Sequence, residues 1–519
     1  MNTLAVILLL PLAGFFVTAA APRDSKTPFY TALLTTICTF FASLGLIAPA
    51  IANGAAFSSA IDTPWIDSPG LQIRLHLGID GINLWLILLT TLLLPIAVWT
   101  TETMVKERRK SFYALLMLFE FGLIGVFSAL DLFVFYIFWE VALVPMYLMV
   151  GGWGGRRRRA VAVKFFVYTM LGSVLMLGSI LYLHSQTGTF DYVDMLSAFS
   201  AGRVTLTQTQ QFWLFLGFFA AFAVKAPIFP LHTWLPDTYS EAPMPATFLL
   251  AAVMSKMGAY GLIRYSVTLA PAGAQRCANW VAALAIIGII YGALLALVQP
   301  NLKRLIAYSS ISHLGFIVLG IFAFNQQGAD GAVYQMIAHG LSTGALFLLA
   351  GYLEQRRGTL EISDFGGIAS AAPALATTFS IALFASIGLP TLCNFVGEFL
   401  VLQGAALTKF SWAAWAATGV VLSAAYMLWM YQRTFLGRLN EKIAEFADLT
   451  SREWLPLLPM IALMVWLGCY AQSFLPTISS ATSRLLEQTK MNNQYRVKLR
   501  PSRPPQATPA EVAEVASAR

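Results

Sequence analysis

Charged residues are scarce in this sequence: Asp, Glu, Lys and Arg make up 11% of 519 residues. Soluble domains carry about a quarter of such residues, so an ordinary solvated surface is excluded. Cysteine is scarcer still. The four, Cys38, Cys277, Cys393 and Cys469, lie in or beside different apolar stretches and show no CxxC spacing, which argues against an iron–sulfur cluster, a c-type haem or a disulfide framework. There is no P-loop and no GxGxxG, so the common phosphate-cradling loops are missing. The five histidines, His76, His184, His232, His313 and His339, include no i, i+4 pair, which makes a metal site on one helix improbable. What the chain has instead is apolar length: 58% hydrophobic residues and a mean hydropathy of +0.69.

Apolar runs of about 20 residues suit membrane spans, and the sequence holds about 14 of them. A backbone in lipid must satisfy its own hydrogen bonds, so the runs are read as helices. The expectation is an all-α polytopic bundle over residues 1–476, followed by a basic tail over 477–519. The first ten residues hold no positive charge, unlike the n-region of a signal peptide, and the first apolar stretch is read as a retained span.

Lysine and arginine set the orientation. The odd-numbered loops carry Arg23 and Lys26, Lys106 with Arg108 to Lys110, Arg156 to Arg159, Lys303 and Arg304, Arg356 and Arg357, and Arg433, Arg438, Lys442 and Arg452; the even loops hold Arg74, Arg203, Arg264, Arg276 and Lys409. That asymmetry puts the odd loops in the cytoplasm and both termini outside. The net charge of +8 then reflects topology and lipid contact rather than nucleic-acid binding. The run GGWGGRRRR at 151–159 is usually a positive-inside anchor and sometimes an anionic-lipid site. The end of the tail, with Pro501, Pro504, Pro505 and Pro509, reads as disordered or as an arm along a partner.

Five ionisable residues fall near the middle of apolar runs: Glu120, Glu140, Lys225, Lys256 and Glu398. Each costs roughly 2.5 to 3.5 kcal/mol on insertion scales unless it pairs or lines a wet cavity, so such residues are functional candidates by default. Lys225 precedes Pro227 and Pro230, which deny N–H groups to the carbonyls of Ala223 and Ala226 and must break the seventh span. In the twelfth span Gly388 and Pro390 precede Glu398 and repeat the device. Two interrupted helices an odd number of spans apart cross in opposite senses, the expected mark of inverted-topology five-helix repeats, here about 111–269 and 278–436. Lys164 sits near the cytoplasmic end of its span and is expected to snorkel. A lone helix histidine is more often a satisfied core residue. His313 and His339, on adjacent spans beside Ser309, Ser310 and Ser312, point instead to hydrated relay members.

These residues carry a resemblance. The strings FYIFWEVALVPMYLMVGGWG, FAVKAPIFPLHTWLPDTYSEAP, SKMGAYGLIR, YSSISHLGF, QMIAHGLSTGALFLLAGYLE and GLPTLCNFVGEFL resemble the antiporter-like subunits of respiratory complex I, the proton-pumping NADH:quinone oxidoreductase. Glu398 stands where the L and N types and the multi-subunit cation/proton antiporters have lysine, which resembles the M type. The resemblance implies a proton-translocating subunit of an enzyme complex in a bacterial plasma membrane. Glu140 is then the partner of the broken-helix lysine Lys225, Lys256 the central relay lysine, Glu398 the outlet group, and His313 with His339 connectors. Glu120 is a second carboxylate one span before Glu140. Flavin, iron–sulfur clusters and quinone are expected in partner subunits and no cofactor in this chain; the expected partners are the L-type and N-type subunits and lipids, with no nucleic acid. A cation/proton antiporter subunit, a hydrogenase-complex subunit and a static scaffold are the competing readings.

Overall fold

The structure is a computed structural model, and it describes residues 2–22, 25–54, 57–68, 71–438 and 446–489. Among the described residues, twelve helices are long and apolar enough to cross a membrane. In chain order they are Thr3–Ala20, Thr27–Asn53, Leu84–Met104, Arg109–Ser128, Leu132–Trp153, Arg158–Thr187, Met244–Leu269, Pro271–Leu297, Leu302–Phe322, Gln326–Arg357, Phe410–Phe435 and Ser451–Cys469. Two further crossings are interrupted. Gln208–Lys225 and Trp234–Glu241 form the seventh span, and Pro373–Ser386 and Cys393–Thr408 the twelfth. The all-α membrane fold read from hydropathy is therefore present, with both breaks at the prolines that require them.

Several of the groups freed by the interruptions find new partners within the protein, as a broken helix at membrane depth requires. In the seventh span the Ala223 carbonyl accepts from the Ile228 N–H at 2.9 Å, and the Val224 carbonyl from the Trp234 indole at 2.9 Å. In the twelfth, Leu389 N–H donates to the Phe384 carbonyl at 3.0 Å.

The eighth, tenth and eleventh spans are the buried centre, with 100%, 94% and 100% of their most apolar windows inside the protein. Their centrality explains why charge can sit there: neighbouring helices replace lipid on every side.

Two elements were not visible as spans. An antiparallel hairpin, Ser58–Ser68 with Leu71–Ile79, precedes the third span. Its His76 is hydrogen-bonded to Asp191, at the start of the short helix Tyr192–Ser200. Burial pulls the His76 imidazole down, but the hydrogen bond and charge of Asp191 outweigh it and hold the ring above its ordinary pKa. The second element is the amphipathic helix Leu475–Gln488, packed on the eleventh span through Gln326 and Asp330. It takes up the first part of the region assigned to the tail. The remainder of that tail, with Arg496, Lys498, Arg500 and Arg503, lies outside the described residues, as do Arg23 and Lys442.

Candidate functional site

A line of polar side chains runs through the buried centre. Lys256, on the eighth span, is fully buried, and its Nζ donates to the Ala251 carbonyl at 2.6 Å. The helix is wound wider here: two π-helical segments, Leu250–Met254 and Leu262–Ser266, flank the seven α-helical residues Ser255–Gly261 that carry Lys256. Such bulges free a carbonyl from the α ladder and concentrate at functional sites.

Lys256 Nζ also lies 2.8 Å from Nδ1 of His339, on the eleventh span. The approach depends on Gly340, where a Cβ would stand 2.7 Å from the Ala252 carbonyl oxygen. Beyond His339 the ring of His313 follows at 5.4 Å between centroids. His313 Nδ1 is 2.8 Å from Glu398 Oε1, which also accepts from Gln335 Nε2 at 3.0 Å. Four of the seven sequence-selected residues, Lys256, His339, His313 and Glu398, thus come from the eighth, eleventh, tenth and twelfth spans into one succession of contacts. All four are at most 4% exposed. His339 Nε2 and His313 Nε2 are buried without a hydrogen-bond partner, so each histidine keeps one ring nitrogen uncommitted.

Glu398 owes its position to the break. Gly388 adopts φ +77°, and a Cβ there would lie 2.9 Å from Glu398 Oε2. The glycine supplies both the left-handed turn, which costs an L-residue about 1–2 kcal/mol, and the space for the carboxylate.

Lys225 ends the first half of the seventh span and is buried. Its Nζ has no hydrogen-bond partner and faces the rings of Trp139 at 5.1 Å and Phe165 at 5.8 Å. Glu140 is the neighbouring charge that acts on it through space, yet the two form no ion pair within 4.0 Å. Glu140 Oε1 is itself buried without a partner. The pair expected from the sequence is thus adjacent but open. Trp139 and Phe165 were not singled out in the sequence, where aromatic residues in apolar runs are ordinary core.

Glu120 stands apart. It is fully buried on the fourth span, neither carboxyl oxygen has a partner, and no other charge acts on it. No contact among the described residues joins it to Glu140 or Lys225.

Lys164 departs from expectation. It does not snorkel freely: Nζ donates to the Thr233 carbonyl and to Asp237 Oδ2, both at 2.8 Å, and Arg304 reaches Asp237 at 3.3 Å. The lysine therefore pins the second half of the seventh span, because the break exposes a carbonyl and Asp237 lies a turn beyond it. The serines near His313 also have settled roles. Ser310 and Ser312 bond helix carbonyls, and Ser309 accepts from Tyr426. A further charged group appears toward the C-terminal end of the eighth span, where Arg264 Nη2 lies 2.6 Å from both oxygens of Asp80 in full burial. Asp80 is in the stretch before the third span and gave no apolar-context signal. No cluster of three or more metal-ligating side chains occurs among the described residues.

Residues 129–424 match the family described as NADH:quinone oxidoreductase/Mrp antiporter, transmembrane. The chain belongs to this family. It is 41% identical over 502 residues to NADH-quinone oxidoreductase subunit M of Rhodobacter capsulatus, covering 94% of this chain and 96% of the relative. It is 36% identical to NADH-ubiquinone oxidoreductase chain 4 of Marchantia polymorpha, covering 95% and 98%. Among solved structures, a chain of respiratory complex I from Thermus thermophilus with bound NADH superposes with a TM-score of 0.84 at 34% identity, covering 94% of this chain and all of that one. The matched family region contains Glu140, Lys225, Lys256, His313, His339 and Glu398, and excludes Glu120. The chain is a multi-pass membrane protein with the antiporter-like fold of complex I subunits.

Proposed function

We propose that this chain is the M-type membrane subunit of an NADH:quinone oxidoreductase in a bacterial plasma membrane, and that it carries protons from the cytoplasmic side to the outside. The observation that carries the reading is the succession Lys256, His339, His313, Glu398, hydrogen-bonded at both ends and joined in the middle by the contact of the two imidazole rings, which ends in a carboxylate at a helix break. Every member carries a side chain that can hold or give up a proton, and each histidine has a second ring nitrogen without a hydrogen-bond partner while the first is engaged.

Lys225 and Glu140 form the entry. Buried beside aromatic rings, the lysine loses its proton readily when its counter-charge is distant and holds it when the carboxylate closes in. The open Glu140–Lys225 geometry corresponds to the state in which the proton is released toward Lys256. Glu398 accepts it and discharges it outside. The redox reaction, with flavin, iron–sulfur clusters and quinone, belongs to partner subunits, and L-type and N-type subunits are the immediate membrane neighbours.

The test is NADH-driven proton uptake by inverted vesicles carrying the assembled complex, compared between parent and Glu398→Gln. Loss of uptake with continued assembly supports the reading. Proton–cation exchange without NADH oxidation would assign the chain to an antiporter complex, and unchanged pumping would leave the charges as a static scaffold.

A further inference from the structure

On the cytoplasmic side, away from the proton line, a cavity of about 1280 Å³ opens between the first, fourth, fifth and sixth spans. Its mouth is ringed by Lys106, Arg108, Arg109, Lys110 and Arg159, and no carboxylate is among its lining residues. These cations come from two loops distant in sequence, one after the third span and one after the fifth. A positive-inside anchor needs basic residues at the membrane surface; it does not need them to converge on one hollow.

The five are unequally committed. Arg108 donates to the Gly152 carbonyl at 2.7 Å and lies over the Trp153 ring at 4.6 Å. Arg109 bonds the Val105 carbonyl and Glu102. The side chains of Lys106, Lys110 and Arg159 have no hydrogen bond or ion pair with any described residue, and all three line the cavity.

Below the mouth the walls are apolar: Phe15 of the first span, Leu115 of the fourth, Leu148 of the fifth and Val163 of the sixth. Leu148 and Val163 are 43% and 50% exposed. One helical turn deeper each is followed by another exposed aliphatic residue, Val144 and Val167, so an exposed apolar strip continues from the cavity along two adjacent spans toward acyl depth.

We infer that this cavity is a binding site for an anionic phospholipid of the cytoplasmic leaflet, with the phosphate held by Lys106, Lys110 and Arg159 and an acyl chain laid against Leu148 and Val163. Charge complementarity selects the headgroup, since one carboxylate, Glu102 on Arg109, leaves a strong excess of positive charge that opposes a zwitterion's amine. The apolar strip selects a lipid over a soluble anion, because free phosphate has no use for exposed aliphatic side chains at that depth. A lipid seated there bridges the loosely buried first span, one third of whose most apolar window is inside the protein, to the three spans beside it.

The experiment uses the intact complex purified in mild detergent and returned to nanodiscs of phosphatidylcholine containing a minor fraction of phosphatidylglycerol with a photoreactive acyl chain. Labelled peptides are then mapped. Phosphatidylglycerol is expected to label the Val144–Val167 stretch, unlabelled phosphatidylglycerol to compete, and phosphatidylcholine and inorganic phosphate not to. Lys106→Gln, Lys110→Gln and Arg159→Gln should lower labelling by roughly fivefold for each cation removed. If the combined variant fails to assemble, Leu148→Trp, which obstructs the apolar strip and keeps every charge, should give the same loss. Even labelling of all lipid-facing helices, displacement by inorganic phosphate, labelling indifferent to Leu148→Trp, or capture of the probe by a partner subunit closing the cavity would each overturn the assignment.

Discussion

Lys256 Nζ meets His339 Nδ1 at 2.8 Å although 83 residues separate them in sequence. The bond reads in either direction. A protonated lysine donates to the imidazole, and a neutral amine accepts from it. Contact of this kind between two proton-exchanging groups, with the next ring 5.4 Å on, is the geometry of transfer more than of cross-bracing.

The first prediction separates those roles. His339→Gln keeps an acceptor for Lys256 and removes the titratable ring; His339→Ala removes both. If the ring carries protons, both variants assemble and both lose most NADH-driven uptake. Recovery of pumping in His339→Gln alone would make the histidine a prop for Lys256.

The open pair gives the second. Glu140→Gln leaves Lys225 among Trp139 and Phe165 with no counter-charge, and Lys225→Ala removes the cation. Each is expected to cripple uptake while native gels still show the complex. Full pumping by assembled Glu140→Gln would remove the pair from the mechanism.

The sequence announced the site better than its wiring, for physical reasons. Lys256, Glu398 and the two breaks were legible because a charge or a proline in a long apolar run has no inexpensive alternative explanation. The contact between His339 and Lys256 was expected only as membership in one relay. Its geometry depends on Gly340 and a π-helical turn, which hydropathy does not record. The hairpin at Ser58–Ile79 and the buried Arg264–Asp80 pair were missed because they lie outside or at the ends of apolar runs, where charged residues are normal. Lys164 was read only in part for a related reason: its depth suggested that it reaches the interface, but the partner it meets there, Asp237, is brought near by the break.

That capture yields the third prediction. Lys164→Ala should free Asp237 and the Thr233 carbonyl, loosening the second half of the seventh span, and lower pumping partway without abolishing it. Asp237→Asn should act in the same direction. Indifference of both variants would show that the ion pairs at Asp237 are dispensable and that the backbone holds the segment unaided.

The His76–Asp191 clamp predicts a pH dependence. His76 is held above its ordinary pKa by Asp191, against burial and the charge of Arg74 and with help from Asp62, so its contribution is complete below the unfolded value and is lost as pH rises through the raised one. Asp191, which burial would raise, is kept below the usual carboxylate range by His76 and backbone N–H groups; its contribution fades only as pH falls through that lowered value. The hairpin should therefore be held most firmly between about pH 4 and 6.5 and loosen in alkali. Amide exchange in Leu71–Ile79, corrected for intrinsic rates, should accelerate from pH 6 to 8.5 in the parent and lose that dependence in His76→Gln. The same acceleration in the variant would remove the clamp as its cause.

The last prediction concerns the outlet. Glu398 Oε1 is shared by His313 and Gln335, while Oε2 faces Gly388. One oxygen is thus turned toward the line and the other toward the break. Glu398→Gln preserves size and hydrogen bonding and removes the proton site, so it should block uptake; Glu398→Asp keeps the acid but withdraws it by one methylene and should retain part. Gly388→Ala tests the geometry with the carboxylate intact. Its Cβ would meet Oε2 at 2.9 Å, and the left-handed backbone adds about 1–2 kcal/mol of strain, so the side chain must turn away and pumping should fall toward the level of Glu398→Asp. All three are measured by NADH-driven proton uptake in inverted vesicles, with assembly checked on native gels. If Gly388→Ala assembles and pumps fully, the outlet does not depend on where Oε2 points. If Glu398→Gln does so, the proton leaves by another route and the carboxylate is only the anchor of His313.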